Sequence, residues 1–382
     1  MSVTTISLPL SKSIAIRKLI VHFIRYGRVL PLPGVQCSDI QTVQTMLHLL
    51  LAERKTSPTI LDAHDCGAAY RFITAIAAAT PGEWLVTGQP RLLQRPIQPL
   101  VDALLSAGAD IQQHPNGLLI HGKRLNASEL RVNCSQSSQF GSALQLAAPL
   151  FGNPKISTYP DQMPSQGYYR MTLAITQEPA ASDSSFIEND WSAALYWYAY
   201  ALLHPDDKLS LKGLNKNSLQ PDAVIAEWFE NWGVHTDFTA EGASLTSNGK
   251  GISDAQCLDL SNNIDCAPIL AVTALLYPFE LTLCGIGNLN KKESPRKDII
   301  IKTLSQFTEI ANISDESFTI RRRQEPLPEQ LMLSSHNDHR FVLAWTLFKA
   351  FTRVTIDDEE CINKSYPGFF DTLDVLRGEG KL

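Results

Sequence analysis

Six stretches of this chain turn abruptly from polar to apolar, and each then runs apolar for about three helical turns. They are SKSIAIRKLIVHF from Ser11, DCGAAYRFITAIAA from Asp65, SSQFGSALQLAAPL from Ser137, DWSAALYWYAYALL from Asp190, DCAPILAVTALLYPF from Asp265 and NDHRFVLAWTLFKAF from Asn337. Each opens on Ser, Asp or Asn, whose side chains accept hydrogen bonds from the first free N–H groups of a helix. A helix without a polar face must be covered on every side. The Ser11 segment is the most polar of the six. Any fold for this chain therefore has to enclose six helices and leave their polar starts at an edge.

A second, amphipathic helix type alternates with the first. IQPLVDALLSAGADI stops at Gly108 and DAVIAEWFENWGVHTD at Gly233, and RKDIIIKTLSQFTEI has the same character without the glycine. Glycine after the last periodic residue marks a helix end. Short β-branched or alternating runs such as LRVNC, LSLKG and FELTLCG read as strands. The predicted architecture is α/β, helices packed on sheets about six times over, at a spacing too irregular for a solenoid. A chain of 382 residues, 44% hydrophobic, has material for two cores. The boundary is expected near Phe186–Asp190, after the linker-like QEPAASDSS at 177–185.

Charge and composition exclude several function classes. The net charge of −6 argues against nucleic acid as a partner. The N-terminus MSVTTISLPLSKS lacks the basic and apolar regions of a secretory signal. The most apolar runs fall short of the ~20 residues of a membrane span. Seven cysteines at 37, 66, 134, 257, 266, 284 and 361, with no CxxC pair, favour neither a disulfide framework nor a metal site. A cytoplasmic protein is expected.

Unpaired N–H groups and a partial positive charge make a helix start an anion site. Here those starts carry Lys12, Ser13, Arg17, Arg71, Ser137, Ser138, Gln139, Asp265 and Arg340, while short loops add Arg95, Lys292, Arg296 and Lys364. Taken singly, a Ser or Asp at a cap is only a cap, an Arg near a helix start is a solvated charge, and His339 is a surface histidine. The recurrence of one junction several times over points instead to a ligand rich in phosphate and carboxylate.

The motifs LPLSKSIAIR, TGQPRLLQRPIQPLVDALLSAGA, SSQF, IDCAP, NKKESPR, NDHR and NKSYP stand in one order from about Leu8 to Leu376. In them the chain resembles the 3-phosphoshikimate 1-carboxyvinyltransferase (EPSP synthase) family. The resemblance implies two similar domains, each of three βαβαββ units, an inside-out α/β barrel with a cleft between the domains. Residues 12–188 would form the first domain, and 1–11 with 189–382 the second. It implies transfer of the enolpyruvyl group of phosphoenolpyruvate to the 5-hydroxyl of shikimate 3-phosphate, with no metal or organic cofactor. A monomer acting on these small molecules, without nucleic acid or membrane, is expected.

Carried over residue by residue, the resemblance makes Ser13, Arg17, Ser137, Ser138, Ser165 and Asn288 contacts of shikimate 3-phosphate, with Lys292 on its phosphate side. It makes Lys12, Arg95, Arg296, Arg340 and Lys364 the clamp for phosphoenolpyruvate, with Gly67 and Gln139 touching the same ligand. Asp265 and Glu293 match the proton-transfer carboxylates, Asp265 near the hydroxyl and Glu293, with Lys12 or Lys364, at C3. The chemistry suits these types. Two polyanions must be brought together, arginine forks match phosphate and carboxylate, and an acid and a base are needed at separate places.

The chain departs from the family pattern where Asp65-Cys66-Gly67-Ala68 replaces the usual Asn-Ala-Gly-Thr, where Leu10 replaces Gly, and where the stretch between Asp39 and Asp65 is short. Asp65 near a bound anion calls for a cation such as Arg71. Three other readings fit these residues less well. A UDP-N-acetylglucosamine enolpyruvyl transferase typically has Lys-Asn where Lys12-Ser13 stands. A non-catalytic phosphometabolite-binding relative has no reason to keep acids and clamp together. An RNA-end-processing enzyme calls for a basic surface.

Overall fold

The computed structural model describes residues 3–52, 57–179 and 187–378. Residues 180–185 of the linker-like stretch lie outside them. The chain divides into two compact units, Lys12–Ile187, here the N-terminal unit, and Met1–Ser11 with Glu188–Leu382, the C-terminal unit.

Strand β1 (Val3–Ile6) opens the chain and belongs to the C-terminal unit. The N-terminal unit begins with two successive helices, α1 (Lys12–Tyr26) and α2 (Ser38–Leu51), with no strand between them. A whole repeat follows: β2 (Thr59–Asp62), α3 (Gly67–Ala79), β3 (Gly82–Thr87), the short α4 (Pro90–Leu93), α5 (Gln98–Ser106), β4 (Asp110–His114) and β5 (Gly117–Gly122). Its sheet runs β2-β3-β5-β4, with β2 and β3 parallel and the other pairs antiparallel. The last repeat is shorter: β6 (Glu129–Asn133), α6 (Gln139–Ala147), β7 (Lys155–Tyr159) and α7 (Gln166–Gln177), with β6 and β7 parallel.

The C-terminal unit continues with α8 (Trp191–Leu203), β8 (Lys208–Lys212), α9 (Ile225–Asn231), β9 (Val234–Thr239) and β10 (Gly242–Ser247). β1 closes this sheet as its edge, in the order β1-β8-β10-β9, with Val3 opposite Lys208 and Ile6 opposite Leu211. Then come β11 (Gln256–Asp259), α10 (Ala267–Leu276), β12 (Leu281–Cys284), α11 (Arg296–Leu304), β13 (Ile310–Ala311) and β14 (Ser317–Ile320), ordered β11-β12-β14-β13. The chain ends on β15 (Gln330–Leu333), α12 (His339–Thr346), β16 (Arg353–Ile356) and α13 (Phe369–Gly378), with β15 and β16 parallel. The parallel pairs β2–β3, β6–β7, β11–β12 and β15–β16 are each bridged by a helix, as parallel pairing requires, whereas the N-terminal unit and α8 separate parallel β1 and β8 in sequence.

The apolar helices are the ones the sheets enclose. Every residue of α10 is buried, as is every residue of α12 and all of α8 from Trp191 to Leu202. α10 packs on both α8 and α12, while α6 packs on α3 and α7. Each fully buried Leu, Ile or Phe contributes about 1.5–3 kcal/mol, so stacked helices of this kind need no polar face. α1, the most polar of the six in sequence, is also buried from Ile14 to Phe23. Its Arg17, Lys18 and His22 go inside with it. α5 and α9 stop where predicted: Gly108 and Gly233 adopt φ of +86° and +95°, a left-handed turn glycine takes without strain.

Two details of the N-termini differ from expectation. One cap is shifted: Cys66 rather than Asp65 caps α3, its Sγ accepting from Ala69 N–H at 3.4 Å. Asp338 caps α12, accepting from Arg340 N–H at 3.1 Å. Asp265 caps nothing and lies in the 3-10 turn Ile264–Cys266 ahead of α10, where it meets basic side chains. Asp190 does cap α8, accepting from Ala193 N–H at 2.8 Å. An N-cap needs extended backbone and a side chain turned back on its own helix.

Candidate active site

In the N-terminal unit the residues named from the sequence lie at the starts of α1, α3, α6 and α7, and they are stitched to each other. Arg17 donates from Nε to Thr172 Oγ1 at 2.7 Å, from Nη1 to the Ser13 carbonyl at 2.9 Å and from Nη2 to the Tyr168 carbonyl at 3.2 Å, which joins α1 to α7. Ser138 Oγ donates to the Ser165 carbonyl at 2.9 Å, joining α6 to α7. Ser165 holds a left-handed φ of +56° just before α7. Arg71 donates from Nη1 to Gln139 Oε1 at 2.8 Å and to the Gly67 carbonyl at 3.1 Å, joining α3 to α6. Its Nε and Nη2 donate to the Pro96 carbonyl, which holds the loop carrying Arg95. Ser137 Oγ accepts from Gln139 N–H at 3.3 Å.

The charge balance of this cluster is lopsided. Among the described residues Arg17, Arg71 and Arg95 have no carboxylate partner. Burial pulls Arg17 down to about 10 against a small opposing pull from Tyr168. Burial, and next the repulsion of Arg95, pull Arg71 down to about 9. Both guanidinium groups crowd Gly67, where an added Cβ would stand 2.8 Å from Arg71 Nη1 and 2.8 Å from Arg95 Nη1. Arg95 Nε is buried with no acceptor. Guanidinium groups packed together without a counter-charge form a site waiting for an anion. Lys12 differs, because its Nζ is already 2.9 Å from buried Asp39.

In the C-terminal unit the cations and acids are interleaved around Arg296, which is 1% exposed. Its Nε donates to Asp338 Oδ2 at 2.7 Å and its Nη2 to Asp338 Oδ1 at 3.0 Å. Its Nη1 donates to Asp265 Oδ1 at 2.6 Å, and its Nη2 also donates to Glu293 Oε2. One N–H, on Nη1, is left over. Lys292 Nζ is 3.2 Å from Asp265 and Lys364 Nζ 3.5 Å from Glu293. Ser294 Oγ donates to Asp338 at 2.7 Å. Arg340 lies at the start of α12 with Nη1 3.4 Å from the Ser192 carbonyl, and its Nε is buried without an acceptor.

These surroundings set the protonation states. Burial alone would push the Asp265 carboxyl up, but Lys292, Arg296 and Arg340 together hold it far below the usual carboxylate range. Burial would likewise lower Arg296, and the carboxylates of Asp338, Glu293 and Asp265 raise it instead. Arg340 is raised in the same way, chiefly by Asp265. Asp265, Arg296 and Arg340 are therefore ionised near neutral pH.

Asn288 stands apart from this network, its Oδ1 accepting from Lys291 Nζ at 2.9 Å at the head of the 3-10 turn Leu289–Lys291. Several contributors escaped the sequence reading. Asp338 caps α12 and is the main partner of Arg296 as well. Nothing in residue type or spacing singles out Asp39, Ser294, Ser192 or Asp222. Their roles come from contacts with residues far along the chain, for which a single sequence has no signal.

A model of the EPSP synthase (3-phosphoshikimate 1-carboxyvinyltransferase) family matches residues 4–373. The 3-phosphoshikimate 1-carboxyvinyltransferase of Bacteroides fragilis is 31% identical, over 97% of this chain and 94% of that protein. The protein of the same name from Mannheimia succiniciproducens is 28% identical over 97% and 96%. Among solved structures, EPSP synthase of Acinetobacter baumannii superposes with a TM-score of 0.71 at 16% identity, covering 97% of this chain and 95% of that one. The enolpyruvyl transferase NikO of Streptomyces tendae gives 0.68 at 12%, covering 97% and 94%. These structures share the fold.

Proposed function

Because this chain belongs to the EPSP synthase family, we infer that it transfers the enolpyruvyl group of phosphoenolpyruvate to the 5-hydroxyl of shikimate 3-phosphate and releases phosphate. That step serves chorismate and aromatic amino acid biosynthesis. Both substrates are small polyanions, and the observation that carries the reading is the set of buried arginines in the N-terminal unit that lack a counter-charge among the described residues.

We assign Ser13, Arg17, Ser137, Ser138, Ser165 and Asn288 to shikimate 3-phosphate, with Lys292 on its phosphate. Arg95, Arg340, Lys364, Lys12, Gly67 and Gln139 go to phosphoenolpyruvate. Arg296 joins them only through its spare Nη1 N–H, since its other donors are spent on carboxylates. Its larger role is to hold Asp265 and Glu293 in place.

Asp265 serves as the base at the attacking hydroxyl and Glu293, beside Lys364, handles the proton at C3. A carboxylate held as low as Asp265 is a poor base, because general bases work best near the operating pH. Substrate changes this. A phosphate or carboxylate drawing on Lys292 and Arg340 weakens their hold on Asp265 and raises its basicity as the complex forms. The cations that assemble the substrates thereby prime the base, and they then stabilise the charge of the tetrahedral intermediate as phosphate leaves. No helix among the described residues is long and apolar enough to cross a membrane. All seven cysteines are free thiols, which fits a cytoplasmic setting.

The test is phosphate release from phosphoenolpyruvate with shikimate 3-phosphate, run beside UDP-N-acetylglucosamine as acceptor. Release with the shikimate ester alone is expected. Release only with the nucleotide sugar, or none from folded protein with either acceptor, overturns the reading.

A further inference from the structure

The inference here rests on the transfer reaction just assigned and concerns a residue that chemistry leaves idle. Asp222 sits on the 3-10 turn Pro221–Val224 leading into α9 and is buried. Its carboxylate reaches the residues that flank two helix starts of the site. Oδ2 accepts a hydrogen bond from Ser192 Oγ in the first turn of α8. Oδ1 accepts from Asn263 Nδ2 at 2.8 Å, and Asn263 precedes the turn that carries Asp265. The Ser192 carbonyl accepts in turn from Arg340 Nη1.

Neighbouring Gln220 grips the same place. Its Oε1 accepts from Trp191 N–H at 3.1 Å and its Nε2 donates to the Asn189 carbonyl at 2.8 Å, so the start of α8 is clamped to this turn from two sides. Among the described residues the Ser192 carbonyl is the one acceptor that orients the Arg340 guanidinium, whose Nε has none. Burial raises the Asp222 carboxyl, against the hydrogen bonds of Ser192 and Asn263 and the charge of Arg340. A buried carboxylate is a costly way to hold a fold together, and well-packed apolar side chains commonly do as well. Its position linking the mounts of Arg340 and Asp265 explains why one stands here.

We propose that Asp222 is a positioning residue of the transfer reaction, setting the direction of the Arg340 guanidinium through Ser192 and the seat of Asp265 through Asn263. Displacements near 1 Å in such a site change rates by up to about a hundredfold. Asp222→Ala is expected to raise KM for phosphoenolpyruvate by about tenfold or more and to lower kcat, with KM for shikimate 3-phosphate within about twofold of wild type. Ser192→Ala, which removes one link and keeps the carbonyl, should move the same constants less. Asp222→Asn, which keeps the shape and one acceptor, should rescue part of the loss.

The decisive comparison is with Arg340→Ala. If Asp222 acts through Arg340, Asp222→Ala adds little to the phosphoenolpyruvate KM of the Arg340→Ala enzyme. A wild-type KM for phosphoenolpyruvate in Asp222→Ala, or full additivity with Arg340→Ala, overturns the proposal. Should Asp222→Ala fail to fold, Asp222→Asn takes its place in the cycle under the same two criteria. A wild-type enzyme that releases no phosphate from the two substrates is a different result and removes the assigned reaction itself.

Discussion

Replacing Arg296 by Met tests the charge cluster through stability. The substitution roughly keeps the volume of a buried chain and deletes its charge. Three carboxylates lose a partner, but not equally. Asp265 is 27% exposed and keeps Lys292 at 3.2 Å, and Glu293 is 19% exposed and keeps Lys364 at 3.5 Å. Asp338 is 0% exposed and, among the described residues, keeps Ser294 Oγ, the N–H of Arg340 and, at 4.0 Å, His339 Nδ1. The penalty therefore concentrates on Asp338. Removing one partner of a buried pair costs about 3–5 kcal/mol. For a unit of this size each kcal/mol lowers the unfolding midpoint by about 2–4 °C, so a fall of about 6–20 °C is expected. Thermal unfolding followed by circular dichroism near neutral pH measures it. Adding Asp338→Asn to Arg296→Met removes the orphaned charge and should restore part of the lost stability. A fall below about 2 °C, or a double variant less stable than Arg296→Met, would refute the view that Asp338 is held by Arg296.

Other outcomes follow from the same geometry. Arg340→Ala should raise KM for phosphoenolpyruvate by about 30-fold or more, from the 2–5 kcal/mol typical of a truncated buried charge contact. The variant should still fold, and an unchanged KM in steady-state assays sinks the assignment. Gly67→Ala places a Cβ against Arg71 and Arg95. Arg71 is anchored by Pro96, Gly67 and Gln139, so Arg95 must yield, and KM for phosphoenolpyruvate should rise more than kcat falls; a wild-type KM contradicts this. Asp265 supplies a pH signature. Its carboxyl is depressed on folding, so the stability it contributes is complete above the unfolded carboxylate pKa of about 4 and is lost as pH drops below that. Asp265→Asn should flatten the fall of the unfolding midpoint between about pH 5 and 3, and a steeper fall would reject the assignment.

Much of this protein can be read along the chain. The burial of α8, α10 and α12 follows from sequences with no polar face to offer water, because helix periodicity is local. The stops at Gly108 and Gly233 follow from glycine's freedom at positive φ. The basic and hydroxyl residues at helix starts point to an anionic ligand before any contact is known. The short stretch between Asp39 and Asp65 is legible too: α2 ends at Leu51 and β2 of the next repeat begins at Thr59.

What the chain order does not contain is the pairing of charges. Arg296 and Arg71 look alike in sequence, each a basic residue at a helix start. Folding surrounds Arg296 with Asp338, 42 residues away, and with Asp265 and Glu293, while Arg71 meets carbonyls, an amide, the Phe140 ring and another arginine, and no carboxylate among the described residues. Asp222 gains its place from Ser192 and Asn263, 30 and 41 residues away. Helix and turn formation depend on neighbours a few residues apart, whereas the state of a buried charge depends on everything within a few ångströms, and only the tertiary structure decides what that is.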